Sequence, residues 1–143
     1  MLRLLLAVSL FVLGPLPALA EEGHDATMYK QPYCGCCDGH ADHLRANGFK
    51  VTVTQTEDLS RIKKKYGVPQ ELEGCHTTVV GGYAVEGHVP ATIIRRLLTE
   101  RPAIRGISLP GMPDGSPGMS GTKTAPFVIH GFSAKGSGMF ATE

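Results

Sequence analysis

The chain has 143 residues, with 14 Lys and Arg against 13 Asp and Glu. So even a balance gives it no electrostatic reason to bind nucleic acid or an anionic lipid surface. The length suits one domain with a modest core, and no internal repeat is visible.

Residues 1–20 read as a separate object. Arg3 supplies a positive start, residues 4–13 an apolar run, and Ala18-Leu19-Ala20 a small-residue cleavage site, the pattern of a secretory signal peptide. The apolar run is short and ends at Gly14-Pro15, so a permanent membrane helix is the weaker reading. The expected product is residues 21–143, a single exported domain, periplasmic in a Gram-negative source, with no membrane attachment after cleavage. Cleavage takes away one charge, Arg3, and leaves that product neutral.

Residues 26–30 read as a first strand. It leads into Cys34-Gly35-Cys36-Cys37, which with Cys75 contains every cysteine of the chain. Three thiols within four residues are a poor structural staple, because adjacent cysteines close only a strained ring. Thiolates are soft donors that select Cu(I), zinc or iron–sulfur, and the imidazole of His76, next to Cys75, suits the same ions. In an oxidising compartment the other reading is a disulfide framework pairing Cys34 with Cys37 and Cys36 with Cys75.

Residues 37–47 carry Cys37, Ala41 and Leu44 at helical spacing, with Gly48 where a terminating glycine belongs. The cysteine loop thus falls at a helix N-terminus, which favours thiolate. Cys36, His40 and His43 lie in one narrow arc of that helix. Either His40 or His43 joins the site or guards its mouth, or both face solvent opposite Leu44.

Residues 49–55 alternate as a strand. Asp58 is a predicted N-cap for a helix whose Leu59, Ile62 and Tyr66 form the buried stripe, ended by Gly67 and Pro69. The Lys63-Lys64-Lys65 run reads as a solvated face. Residues 77–80 and 83–86 flank Gly81-Gly82 as a β-hairpin. His88 reads as a loop residue in solvent, before a helix from Pro90 to Arg101 that buries Ile93, Ile94, Leu97 and Leu98.

Residues 111–119 form a Gly/Pro/Met-rich loop. Its Met112 and Met119 are either soft thioether donors for Cu(I) or fillers of gaps in the packing. Residues 127–130 suit a last short strand, and the tail after about residue 120 is weakly patterned.

The order βαβα, then a hairpin, then a C-terminal helix, defines an α/β, thioredoxin-like fold. In that arrangement the segment entering the hairpin passes beside the first cysteine loop, so Cys75-His76 should meet the other three thiols. The motifs Cys34-Gly35-Cys36-Cys37, Asp42-His43-Leu44-Arg45-Ala46-Asn47-Gly48-Phe49, Cys75-His76-Thr77, Val79-Val80-Gly81-Gly82-Tyr83, Val85-Glu86-Gly87-His88-Val89-Pro90, Gly111-Met112-Pro113 and Gly118-Met119 resemble the CopG type of copper-resistance protein. That resemblance covers nearly all of residues 28–119. It implies a thioredoxin-like domain whose Cys34, Cys36, Cys37 and Cys75 bridge several copper ions and interconvert Cu(I) and Cu(II). It further implies His76, His43, His88, Met112 and Met119 as outer ligands, with copper ions and other exported copper-handling proteins as partners.

Two rival functions follow from the same residues. A zinc site would use the same donor types, although the crowded Cys36-Cys37 pair departs from the usual C-x₂₋₄-C spacing. A thiol–disulfide oxidoreductase would attack with Cys34 and resolve with Cys37. The thioredoxin-like oxidoreductases carry a cis-proline before the hairpin, where this chain has Cys75-His76-Thr77.

Overall fold

A computed structural model describes residues 23–143, so the proposed signal peptide lies outside the described residues. Strand β1 (Asp25–Lys30) buries Ala26, Met28 and Lys30 on alternate positions and runs into the cysteine loop. Helix α1 (Gly35–Ala46) follows, with Cys34 as its N-cap and Gly48 at φ 86° just past its end. Strand β2 (Lys50–Gln55) returns parallel to β1. Helix α2 (Leu59–Tyr66) is capped by Asp58, whose side chain accepts from the Arg61 backbone N–H at 3.0 Å, and stops at Gly67 in the left-handed conformation.

Strands β3 (His76–Val80) and β4 (Tyr83–Gly87) form the expected hairpin around Gly81-Gly82, and β3 pairs antiparallel with β1. Helix α3 (Ala91–Glu100) buries Ala91, Ile93, Ile94 and Leu97. It is not the last element. Strand β5 (Gly106–Leu109) lies parallel to β4, and β6 (Val128–Ser133) and β7 (Gly136–Thr142) add an antiparallel hairpin. The result is a mixed α/β fold with one seven-stranded sheet in the order β2-β1-β3-β4-β5-β6-β7.

Alternation along β4 divides the core. Val85 packs with Leu44 of α1 and Ile94 and Leu97 of α3, whereas Ala84 packs with Val68, Leu72 and Phe132. Helices α1 and α3 therefore cover one face, and α2 with the turn after it covers the other. Lys63 lies on the second face, and it is buried against Glu86 rather than solvated with Lys64 and Lys65. The stripe of α2 is displaced to match, since Ile62 and Tyr66 are only half-buried.

Antiparallel pairing of β1, β3 and β4 brings the end of β1, the start of β3 and the end of β4 to one end of the sheet. Because β5 runs parallel to β4, with Leu109 opposite Gly87, the Gly/Pro/Met-rich loop also departs from that end. Four chemically distinctive segments thus share one rim.

Candidate metal centre

The α1 N-terminus presents three of the sulfurs. Cys34 is half-buried, Cys36 stands in the first turn with its Sγ 3.5 Å from that of Cys34, and Cys37 points into the core. Lys30, buried at the end of β1, holds both carboxylate oxygens of Asp38 at 2.6 and 2.7 Å. That pair ties the first turn of α1 to the strand beneath it.

The fourth sulfur arrives from the segment before β3. The Gly74 backbone N–H donates to Glu86 at 2.8 Å, and the Gly74 carbonyl accepts from Lys63 at 3.0 Å. Lys63 and Glu86 are also hydrogen-bonded to each other, and the Thr77 hydroxyl donates to the second Glu86 oxygen at 2.7 Å. Both polar groups of the Gly74 peptide are thereby fixed, and the next residue is Cys75. The Sγ atoms of Cys34, Cys36, Cys37 and Cys75 all lie within 4.8 Å of one another.

Of the two disulfides weighed from the spacing, only one is formed. Cys34 and Cys37 are bonded, with their Cα atoms 5.4 Å apart, while Cys36 and Cys75 are free thiols. Burial pushes the Cys75 thiol up to about 12, and the neighbouring Cys36 adds to that effect. A bound cation reverses such a shift, because it stabilises the thiolate that water cannot reach.

Four histidines converge on this region, and the structure separates their positions. His76 Nδ1 is 3.2 Å and His88 Nε2 is 3.1 Å from Cys75 Sγ. His88 is fully buried rather than solvent-exposed in a loop, and its Nδ1 donates to the Pro117 carbonyl at 2.7 Å. His40 is buried too, neither at the mouth of the site nor on the solvent face, with Nδ1 2.7 Å from His76 Nε2 and Nε2 2.9 Å from the Val89 carbonyl. His43 goes elsewhere: its Nε2 accepts the Ala91 N–H at 3.3 Å and so caps α3. Desolvation lowers the pKa of all four, to about 3 for His40 and well below the ordinary value for His76, so these imidazoles are neutral.

The Met-bearing loop crosses α1 at the cysteines. A Cβ on Gly39 would stand 3.1 Å from the Gly118 Cα, and one on Gly118, at φ 83°, would stand 2.8 Å from the Cys36 carbonyl oxygen. Met119 is half-buried beside this contact, whereas Met112 is 40% exposed.

The donor set fits a soft ion. It comprises the free sulfurs of Cys36 and Cys75 and two neutral imidazole nitrogens, joined by the sulfurs of Cys34 and Cys37 once their disulfide is reduced, with Cys75, His76 and His88 also grouped within 4.8 Å. No hard carboxylate oxygen belongs to either group. No period or spacing links His88 or the carbonyls of Val89 and Pro117 to the cysteines, so His88 is reached only through the family resemblance and the two carbonyls not at all. They are adjacent only because β4 and the loop after β5 end at the same rim.

Comparison with known proteins agrees with this chemistry. Residues 72–119 match a family described as protein of unknown function, DUF411. No curated protein matches the chain. Two solved structures named copper resistance protein CopG, form 2 and form 1, are each 40% identical to it, with TM-scores of 0.79 and 0.78. The likeness covers 85% of this chain and 99% and 98% of theirs, which shows that the chain belongs to the CopG family of copper-resistance proteins.

Proposed function

We propose that this is an exported copper-binding protein of copper resistance, which holds Cu(I) in a thiolate-bridged cluster of more than one ion. Cys34, Cys36, Cys37 and Cys75 are its bridging ligands. His76 and His88 add nitrogen to the sulfur of Cys75, and Met119 is a further donor at the rim. The strand order β2-β1-β3-β4 with α1 to α3 is read as thioredoxin-like, extended by β5 to β7. The segment 1–20 is read as the export signal, and other exported copper-handling proteins as the source and destination of the metal.

One observation carries this reading: the late thiol of Cys75 lies within 4.8 Å of the early three and is flanked by two neutral imidazole nitrogens. A sulfur can bridge two metals, so four sulfurs suffice for a cluster, and soft-donor preference disfavours Mg²⁺ and Ca²⁺. The Cys34–Cys37 bond must first be reduced by a dithiol, which gives up two electrons and two protons and becomes a disulfide itself. Copper bound there supplies one-electron chemistry between Cu(I) and Cu(II).

Anaerobic titration of the reduced protein with Cu(I) tests the proposal. More than one copper per chain is expected, and Cys75→Ala should abolish multi-copper binding while leaving the Cys34–Cys37 couple intact. A single zinc per chain, or insulin-reductase activity that survives Cys75→Ala without multi-copper binding, would refute it.

A further inference from the structure

The imidazole contacts have a direction, and it is set by two backbone carbonyls. A carbonyl only accepts, so the His40 nitrogen facing Val89 at 2.9 Å, Nε2, carries a proton and donates it. A neutral imidazole has one N–H, which leaves His40 Nδ1 as an acceptor. The atom facing it at 2.7 Å, His76 Nε2, must therefore be the donor. His76 then has its proton on Nε2 and a bare lone pair on Nδ1, 3.2 Å from Cys75 Sγ.

The second arm works in the same way. The Pro117 carbonyl takes the His88 Nδ1 proton at 2.7 Å and leaves the lone pair of Nε2 facing Cys75 Sγ at 3.1 Å. The imidazole protons of His40 and His88 point outward to backbone carbonyls, that of His76 points to His40, and both free lone pairs point inward to one sulfur. A thiol has one proton and can satisfy one of them. A cation can satisfy both.

We propose that His40 is a positioning residue of the copper site: by accepting from His76 and donating to the Val89 carbonyl, it holds His76 in the tautomer whose Nδ1 faces Cys75. This rests on the copper reading above. His40 lies within α1, four residues after Cys36, so the helix that presents the cysteines also orients the imidazole opposite them. Groups that fix the tautomer of a ligating histidine are worth about 10- to 100-fold in metal affinity when removed.

The test combines ¹⁵N–¹H correlation of the histidine side chains in the metal-free, reduced protein with Cu(I) affinity by chelator competition. In the wild type, His76 should show a single tautomer with the proton on Nε2. His40→Leu removes the acceptor, so the Nδ1–H form of His76 should appear and Cu(I) affinity should fall about 10- to 100-fold. His40→Gln, whose amide both accepts and donates, should restore the tautomer and the affinity together. A wild-type His76 protonated on Nδ1 overturns the proposal even if His40→Leu does not fold. So does a change in affinity or tautomer without the other in His40→Leu, or a His40→Gln variant that rescues neither. A wild type that shows the expected tautomer but binds no Cu(I) refutes the copper reading instead.

Discussion

His40 is fully buried and desolvation holds its pKa at about 3, against 6.5 for an unperturbed histidine. The unfolded chain therefore binds more protons than the folded one between these values, so stability rises with pH across that window. It is fully present above about pH 6.5 and is lost as pH falls toward 3. At about 1.4 kcal/mol per pH unit, His40 alone takes away roughly 2.5 kcal/mol between pH 7 and 4.5, and His76 and His88 act in the same direction. Glu86 works against this, because burial raises its pKa beyond what Lys63 lowers. Urea melts of the metal-free protein at the two pH values should show the net loss, and a flat profile would mean that imidazole burial does not outweigh the opposing Glu86 contribution. Lys63 gives a second test at this scale. It is the cation buried against Glu86, so Lys63→Met should cost about 3–5 kcal/mol at neutral pH by leaving that carboxylate unpaired. Adding Glu86→Gln should recover part of the loss, which a simple packing defect at Lys63 would not permit. Neither effect is visible in Lys63-Lys64-Lys65 as a string, since the burial of one lysine in three depends on which acid the opposite strand supplies.

The elements that were legible are those whose stop signals and periods agree. Asp58 and Gly67 bound α2, Gly81-Gly82 turns the β3–β4 hairpin, and Gly48 closes α1, each within a residue or two of expectation. The C-terminal third was not legible in the same way. Strand β5 is four residues long and buried on every one of them, so it shows no alternation. Strand β7 is built from Gly, Ser, Met and Phe at an exposed edge, and its register with β6 shifts between Ile129 and His130, leaving Phe140 as the extra residue. Such strands form because β5 offers an open edge, a tertiary cause that local propensity does not carry. The loop between β5 and β6 is held by a comparably non-local contact, the approach of Gly118 to α1. Gly118→Ala would place a methyl against the Cys36 carbonyl at a positive φ, and should cost about 2–4 kcal/mol from strain and overpacking together. The expected result is a lowered melting temperature with faster hydrogen exchange in the first two turns of α1. An unchanged melt would show that the loop does not bear on the helix.

At the scale of the whole molecule, the sheet order gathers the ends of β1, β4 and β5 and the start of β3 at one rim, and the candidate site is made of what those ends carry. The meeting of Cys75 with Cys34, Cys36 and Cys37 was legible, because it follows from the strand, helix and hairpin order alone. The histidine arrangement was not, since a helical arc places His40 and His43 together whereas packing sends one toward His76 and the other to the start of α3. On the copper reading proposed above, the same rim joins metal loading to thiol redox state. With Cys34 and Cys37 bonded to each other, the free donors are Cys36, Cys75, His76 and His88, enough for one ion. Reduction returns two sulfurs, each able to bridge, without rearranging the strands that hold them. The oxidised protein should therefore bind no more than one Cu(I), and the protein pretreated with a dithiol and desalted anaerobically should bind more than one. Copper per chain, measured by elemental analysis alongside a free-thiol count, checks this, and equal stoichiometry in both forms would show that Cys34 and Cys37 are not ligands. Cys34→Ser with Cys37→Ser supplies the control, since it should match the oxidised protein whether or not reductant is present.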